Sequence, residues 1–154
     1  MGIIYKEIDG DLLEKMCSHF GDEETIKKHI HFENGSFSLV ALCDDIPVGF
    51  ISTYTKMLAP PLDNQKDAYI DIIEVDEKYR KQGIASELIR LIEEWAAKNR
   101  FSQIRAWSSQ DRIEAIPMWY KLGYCMCPAK IWLEWCKQVI DGYYVAKKLY
   151  TNKE

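Results

Sequence analysis

The chain has 154 residues, 47% of them hydrophobic and 29% charged, and a net charge of −4. A chain of this length buries about 68–70% of its unfolded surface without disulfide or metal staples, and this balance of residues excludes a disordered segment. The acidic charge opposes binding to nucleic acid, and the compact basic pair Arg80-Lys81 is better suited to a small phosphate ligand; no apolar run approaches the ~18–20 residues needed to cross a bilayer.

In chain order, Ile3 to Ile8 reads as a first strand. Asp9 to Gly21 reads as a helix, with Asp9 or Asp11 as its cap and Leu12, Leu13, Met16 and Phe20 at helical spacing. Glu23 to His31 is expected to form a second helix, ending before Asn34-Gly35. Ser36 to Cys43 and Ile46 to Tyr54 are strand-like runs about Asp44-Asp45, a hairpin signal. Leu58 to Asp67, with Pro60-Pro61, is a loop, and Tyr69 to Val75 is a strand. Ile84, Leu88, Leu91, Ile92 and Trp95 mark one buried stripe of a helix from Ile84 to Lys98. Gln103 to Ser108 is a strand. A helix capped within Ser109 to Asp111 is expected to run to Leu122 and stop at Gly123, with Pro117 bending it or marking its true start. Tyr124 to Cys127 is a short strand, Ala129 to Val139 a helix or a long loop, and Tyr143 to Tyr150 a closing strand. The order predicts one domain, residues 1–154, of the α/β class with a mixed sheet flanked by helices.

The segment Tyr79-Arg80-Lys81-Gln82-Gly83-Ile84-Ala85-Ser86 joins a strand to an amphipathic helix. A short basic loop opening into a helix is suited to a pyrophosphate, because the first-turn N–H groups are unpaired and the helix dipole favours an anion there. Gly83 lets the backbone approach the ligand and Ala85 is nearly as small. Arg80 and Lys81 add full charges. The loop lacks both Gly-x-Gly-x-x-Gly and Gly-Lys-Ser/Thr, which argues against a dinucleotide or nucleoside-triphosphate fold.

With Arg80, Gly83 and Ala85 in place, this loop resembles the Arg/Gln-x-x-Gly-x-Gly/Ala motif of the GNAT superfamily of acyl-CoA-dependent N-acyltransferases. Ile73-Glu74-Val75-Asp76 resembles that family's fourth strand, and Asp45-Ile46-Pro47-Val48-Gly49-Phe50 its second hairpin. Glu114 to Tyr124 resembles its Ala-x-x-x-Tyr-x-x-x-Gly-Phe segment, with Trp119 at the tyrosine position, Tyr120 one place later, and Arg112 where an asparagine is common. The resemblance implies that Arg80 to Ser86 (Arg80, Lys81, Gln82, Gly83, Ile84, Ala85, Ser86) hold the pyrophosphate of acetyl-CoA. It implies that backbone groups of Ile73 and Val75 hold the pantetheine arm.

Acetyl transfer to an amine is thioester aminolysis. An alkyl ammonium of pKa ~10.4 must lose a proton before it attacks, so a base is useful. Asp71 is the first choice, on the face of Ile73 and Val75 by strict alternation; Glu74, the second choice, is expected on the opposite face. Tyr120 is the candidate acid for the leaving thiolate, and the Val75 N–H a candidate donor to the oxyanion. The expected acceptor is a small-molecule amine, with a non-catalytic acyl-CoA sensor as the competing reading.

The five cysteines, Cys17, Cys43, Cys125, Cys127 and Cys136, are expected to be reduced thiols. Cys125, Cys127 and Cys136 are read as buried rather than metal-binding. With no signal peptide legible after Met1, a cytoplasmic protein is expected. On a helix reaching His31, His29 and His31 would lie on different faces, so they are not read as a metal pair. Trp132, Trp135, Tyr143 and Tyr144 are read as core or as dimer packing, which keeps a homodimer among the expected partners.

Overall fold

The computed structural model describes residues 2–149. Seven strands form one sheet: β1 (Ile3–Glu7), β2 (Phe37–Cys43), β3 (Ile46–Met57), β4 (Lys66–Val75), β5 (Gln103–Ser109), β6 (Cys125–Leu133) and β7 (Gln138–Lys148). Their order is β1-β2-β3-β4-β5-β7-β6, and only β4 and β5 run parallel. Four helices, α1 (Gly10–Phe20), α2 (Glu23–His29), α3 (Ile84–Lys98) and α4 (Ile116–Lys121), cover its two faces.

Local chemistry explains the element ends. The Asp9 carboxylate accepts the Leu12 N–H at 2.8 Å, and Gly21, at φ 73°, closes α1 by donating to the Cys17 carbonyl. Asp44 and Asp45 take φ of 48° and 62°, the paired left-handed conformation that a two-residue hairpin matching strand twist requires. Of the stripe predicted on α3, Ile84, Leu88 and Ile92 are buried against the sheet while Leu91 and Trp95 are only partly covered, and Ile89 and Ala96 complete the sealed face. Each large aliphatic there contributes about 1.5–3 kcal/mol of transfer free energy.

Two cores result. α3 and α4 pack with Ala68, Ile70, Ile73, Val75, Ile104 and Val145 on one face of the sheet. On the other face α1 and α2 pack Met16, Ile26 and Ile30 against Val40, Leu42 and Phe50. Glu93 ties the first core together, accepting from the Tyr124 hydroxyl at 3.0 Å and the Lys147 ammonium at 2.8 Å. Burial and then Glu93 raise the Tyr124 hydroxyl well above the usual phenol range.

Several sequence expectations change. β4 begins at Lys66 rather than Tyr69, extending the strand back into the expected loop. α2 stops at His29, with Ile30 extended as its cap. The segment before Gly123 is a 3-10 turn (Ile113–Ala115) followed by α4, with Pro117 in the first turn, where its missing N–H costs nothing. Ala129 to Val139 is neither helix nor long loop: β6 runs to Leu133 and turns directly into β7, paired from Leu133↔Gln138 to Cys125↔Ala146. β6 is an edge strand, so Cys125 and Cys127 are exposed and Cys136 half-buried rather than sealed. For the same reason Trp132 and Trp135 are exposed, whereas Tyr143 is core. Tyr150 lies outside the described residues. Among the described residues no helix is long and apolar enough to cross a membrane.

Candidate active site

The parallel strands stay together for three pairs only, Asp67↔Gln103, Ala68↔Ile104 and Tyr69↔Arg105. Beyond Tyr69, β4 continues to Val75 with no partner on its β5 side, which leaves a wedge between the strands. The β3 register determines which groups line it. Asp76 N–H donates to the Val48 carbonyl at 2.9 Å, and the ladder runs Gly49↔Val75, Phe50↔Glu74, Ile51↔Ile73. Hydrogen-bonded and non-hydrogen-bonded pairs alternate in an antiparallel ladder, so Glu74 exchanges its bonds with Phe50. The backbone groups of Ile73 and Val75 consequently face the wedge. Their side chains pack into the α3 core.

Asp71 does not share that face. The β3 register slips between Ser52 and Thr53, which pair with Ile72 and Ile70, leaving Asp71 unpaired as a β-bulge. The extra residue breaks strict alternation. Ile70, Ile73 and Val75 point to α3, while Ile72 packs with the α1/α2 core and Asp71 turns to the end of α2. There its Oδ2 meets His29 Nδ1 at 3.0 Å and His31 Nε2 at 2.7 Å. His31 Nδ1 in turn faces Glu33 Oε1 at 2.8 Å. The expectation that the two histidines diverge fails because the helix ends at His29, so Ile30 carries His31 round to the same carboxylate. Glu74 is exposed at the strand end.

The backbone of His31 is clamped by two buried serines. Its N–H donates to Ser52 Oγ at 2.9 Å, its carbonyl accepts from Ser38 Oγ at 2.9 Å, and the two hydroxyls share a 2.7 Å bond. The ring packs on Tyr54, with centroids 4.8 Å apart, and Tyr54 lies 5.6 Å from the Tyr69 ring. Burial, then Asp71, raises the Tyr54 hydroxyl. Burial, then the neighbouring phenols, raises Tyr69 well above the usual range. Partial burial pushes the Glu33 carboxyl up, but hydrogen bonds from its own backbone and from His31 outweigh it and hold the group below its ordinary value.

At the far end of the wedge, Asp76 accepts the Lys78 N–H at 3.0 Å and binds His19 Nε2 at 2.7 Å, anchoring the loop to α1. The Lys78 bond first, and His19 second, hold the Asp76 carboxyl below its usual range. Arg80 Nε donates to the Val75 carbonyl at 3.0 Å, bringing its guanidinium to the strand end. Lys81 and Gly83 are left-handed, at φ 62° and 82°, and α3 starts at Ile84 with no side-chain cap. The amides of Ile84, Ala85 and Ser86 are left without a capping side chain. A Cβ at Gly83 would meet no protein atom within 4 Å, so the space ahead of the helix is open. Gly49 sets the helix against β3: a Cβ there would lie 3.0 Å from Ile84 Cγ2. Lys81, Gln82 and Gly83 are exposed, while the Ile84 side chain is buried and only its main chain faces the opening.

The remaining candidate, Tyr120, is 64% exposed on α4, and its carbonyl accepts the Gly123 N–H at 3.0 Å. Trp119 points inward and packs edge-on to Tyr124, with centroids 4.9 Å apart. The structure therefore brings Asp71 and the loop to the two ends of one strand edge, while Tyr120 is carried separately by α4. In the sequence His29 and His31 are weighed only as a metal pair and set aside, and Glu33 is not singled out at all. The signal that could have found them is the basic Lys27-Lys28-His29 run, which marks the last turn of a helix.

A model of the acetyltransferase (GNAT) family matches residues 6–124. The chain belongs to the GNAT family. Solved structures share the fold across nearly the whole chain. The ribosomal-protein-S18-alanine N-acetyltransferase of Escherichia coli is 13% identical with a TM-score of 0.74, covering 99% of this chain and 97% of that one. Arabidopsis thaliana NAA60 in complex with a bisubstrate analogue is 17% identical, TM-score 0.73, covering 98% and 100%. An aminoglycoside 6'-N-acetyltransferase complexed with coenzyme A is 15% identical, TM-score 0.71, covering 98% and 99%. None of the curated proteins matches the chain. In this GNAT domain the His29–Asp71–His31 constellation joins the last residue of α2, the segment that follows it and the bulge of β4.

Proposed function

We propose that this GNAT protein is a cytoplasmic acetyl-CoA-dependent N-acetyltransferase acting on the primary amine of a small molecule. The observation that carries the reading is the free edge of β4, which runs from the Asp71 bulge to the uncapped start of α3. An extended pantetheine arm adds to such an edge as a strand would, through the main chain of Ile73 and Val75. The pyrophosphate then meets the first-turn amides of Ile84, Ala85 and Ser86, with Arg80 and Lys81 as counter-charges and Gln82 and Gly83 shaping the approach. Solved GNAT structures similar to this one hold acetyl-CoA or coenzyme A, which supports acetyl-CoA as the cosubstrate.

The thioester lies at the bulge, and the amine approaches from the α2 side, where Asp71 points. Asp71 takes the ammonium proton, the neutral nitrogen attacks the thioester carbonyl, and a main-chain N–H at the bulge end of the β4 edge, rather than that of Val75 four residues away, supports the oxyanion. Holding both reactants in one wedge supplies much of the rate. The CoA thiolate, conjugate to a thiol of pKa about 8.5, needs only weak acid help, which Tyr120 gives. The five cysteines are all free thiols, in keeping with a reducing compartment.

A second reading, a non-catalytic acyl-CoA sensor, is favoured by one observation: the family tyrosine position is occupied by Trp119, which is buried. Thiol release from acetyl-CoA against a panel of polyamines, aminoglycosides, amino acids and peptides separates the two. Release with a small amine supports the enzyme; tight CoA binding with no release on any amine supports the sensor.

A further inference from the structure

Aminolysis of a thioester by an ammonium leaves one proton over. The reaction is R–NH3+ plus acetyl-CoA giving R–NH-acetyl, CoA thiol and H+. The C–N bond forms, the C–S bond breaks, one nitrogen proton ends on sulfur, and the other must reach solvent. Asp71 takes that proton, but its side chain is only 23% exposed, against 56% for Glu33. We propose that His31 is the exit, passing the proton from Asp71 to Glu33 and so to solvent. This rests on the acetyltransferase reading above and assigns residues outside the shared β4 edge to the same site.

The geometry is that of a relay. One nitrogen of the ring faces the inner carboxylate at 2.7 Å and the other faces Glu33 at 2.8 Å. The Glu33 side chain is 56% exposed, against 20% for His31. The proton moves from Asp71 Oδ2 to Nε2, the Nδ1 proton moves to Glu33 Oε1, and Glu33 gives it to water; the ring regains its starting tautomer by exchange with solvent. Glu33 is held below its ordinary carboxyl range by its own backbone hydrogen bond and by His31, which outweigh its partial burial, so it releases the proton readily. The Ser38–Ser52 clamp keeps the ring from swinging out. His29 meets the same Asp71 oxygen but has one bonded nitrogen only, so it positions the carboxylate without extending the path. The groups facing the relay are His29 from α2, Asp71 and Tyr69 from β4, and Tyr54 from β3; Lys56 is diverted over the Tyr69 ring at 4.7 Å.

The test uses the full chain, with thiol release on the best amine from the panel as the activity and histidine ring-nitrogen NMR as an independent readout. His31→Ala is expected to lower kcat about tenfold or more at neutral pH. The deficit should close as pH nears the ~10.4 of a free amine, imidazole should restore activity, and the KM for acetyl-CoA should stay within about twofold. Glu33→Gln should give a smaller loss of the same shape. In the NMR spectrum, Asp71→Asn and Glu33→Gln should each move the His31 ring signals. If His31→Ala fails to fold, His31→Gln, which can still hydrogen-bond Asp71, should show the same pH-dependent loss. A loss equal at every pH and unrescued by imidazole, or His31 signals indifferent to Glu33→Gln, would overturn the relay alone. Coupled His31 signals with no thiol release from any amine would instead overturn the acetyltransferase reading, and the relay's catalytic use with it.

Discussion

His31 Nε2 lies 2.7 Å from Asp71 Oδ2, joining the end of α2 to the bulge of β4. The bulge is what makes this contact, since strict alternation would have sent Asp71 into the α3 core. Replacing Asp71 with Asn keeps the shape but removes the proton acceptor. We expect kcat to fall about 10²–10⁴-fold. The KM for acetyl-CoA should be nearly unchanged if, as proposed, the strand meets CoA through its main chain. Steady-state kinetics with each substrate varied in turn checks the split.

Gly83→Val is expected to weaken CoA binding at least about tenfold. No protein atom stands within 4 Å of a Cβ at Gly83, so the new side chain projects into space that the pyrophosphate needs. The left-handed φ adds about 1–2 kcal/mol of strain to the folded state. Calorimetric titration with CoA, alongside a melting curve, separates lost affinity from lost stability. Unchanged affinity in a folded variant would move the anion site elsewhere.

Tyr120→Phe tests the leaving-group assignment. A thiolate leaves with little assistance, so kcat should fall by no more than about tenfold, and less when a more acidic thiol replaces CoA as leaving group. A wild-type rate would show that water does this work.

Asp67 makes the sheet pH-sensitive. Both of its oxygens are buried without a hydrogen-bond partner, and Arg105 Nε is 3.5 Å away. Burial raises its carboxyl above the ordinary range, with Arg105, then Gln103 and Lys56, only partly offsetting this. The folded state therefore binds this proton more tightly than the unfolded chain does. Its effect favours folding most below the unfolded pKa of about 3.9, and that advantage is lost as pH rises through the raised folded value. Asp67→Asn should be more stable than the parent at pH 7 by about 1–3 kcal/mol, converging with it in acid. Denaturant midpoints at a series of pH values test this.

Much of the architecture was legible because it follows from short-range rules. α3 runs from Ile84 to Lys98 as its apolar stripe predicts, and the Asp44-Asp45 turn forms as expected. The edge hairpin of β6 and β7 was not legible: an edge strand needs no continuous apolar face, so Ala129 to Leu133 carry little strand signal. The loop from Arg80 to the uncapped start of α3 could be read because a glycine turn opening a helix is local in sequence. The orientation of Asp71 could not be read, because a bulge is set by the register of a neighbouring strand. His31 needed in addition the end of α2, a boundary that moved by two residues. Trp119 and Tyr120, one helical step apart, are buried and exposed respectively.

The most direct test of the account is a crystal structure of the full chain with acetyl-CoA bound. The account predicts a pyrophosphate over the amides of Ile84, Ala85 and Ser86, a pantetheine arm along Ile73 and Val75, and an acetyl group beside Asp71. Ligand density away from the start of α3, or an acetyl group on the side of the sheet remote from Asp71, would contradict it.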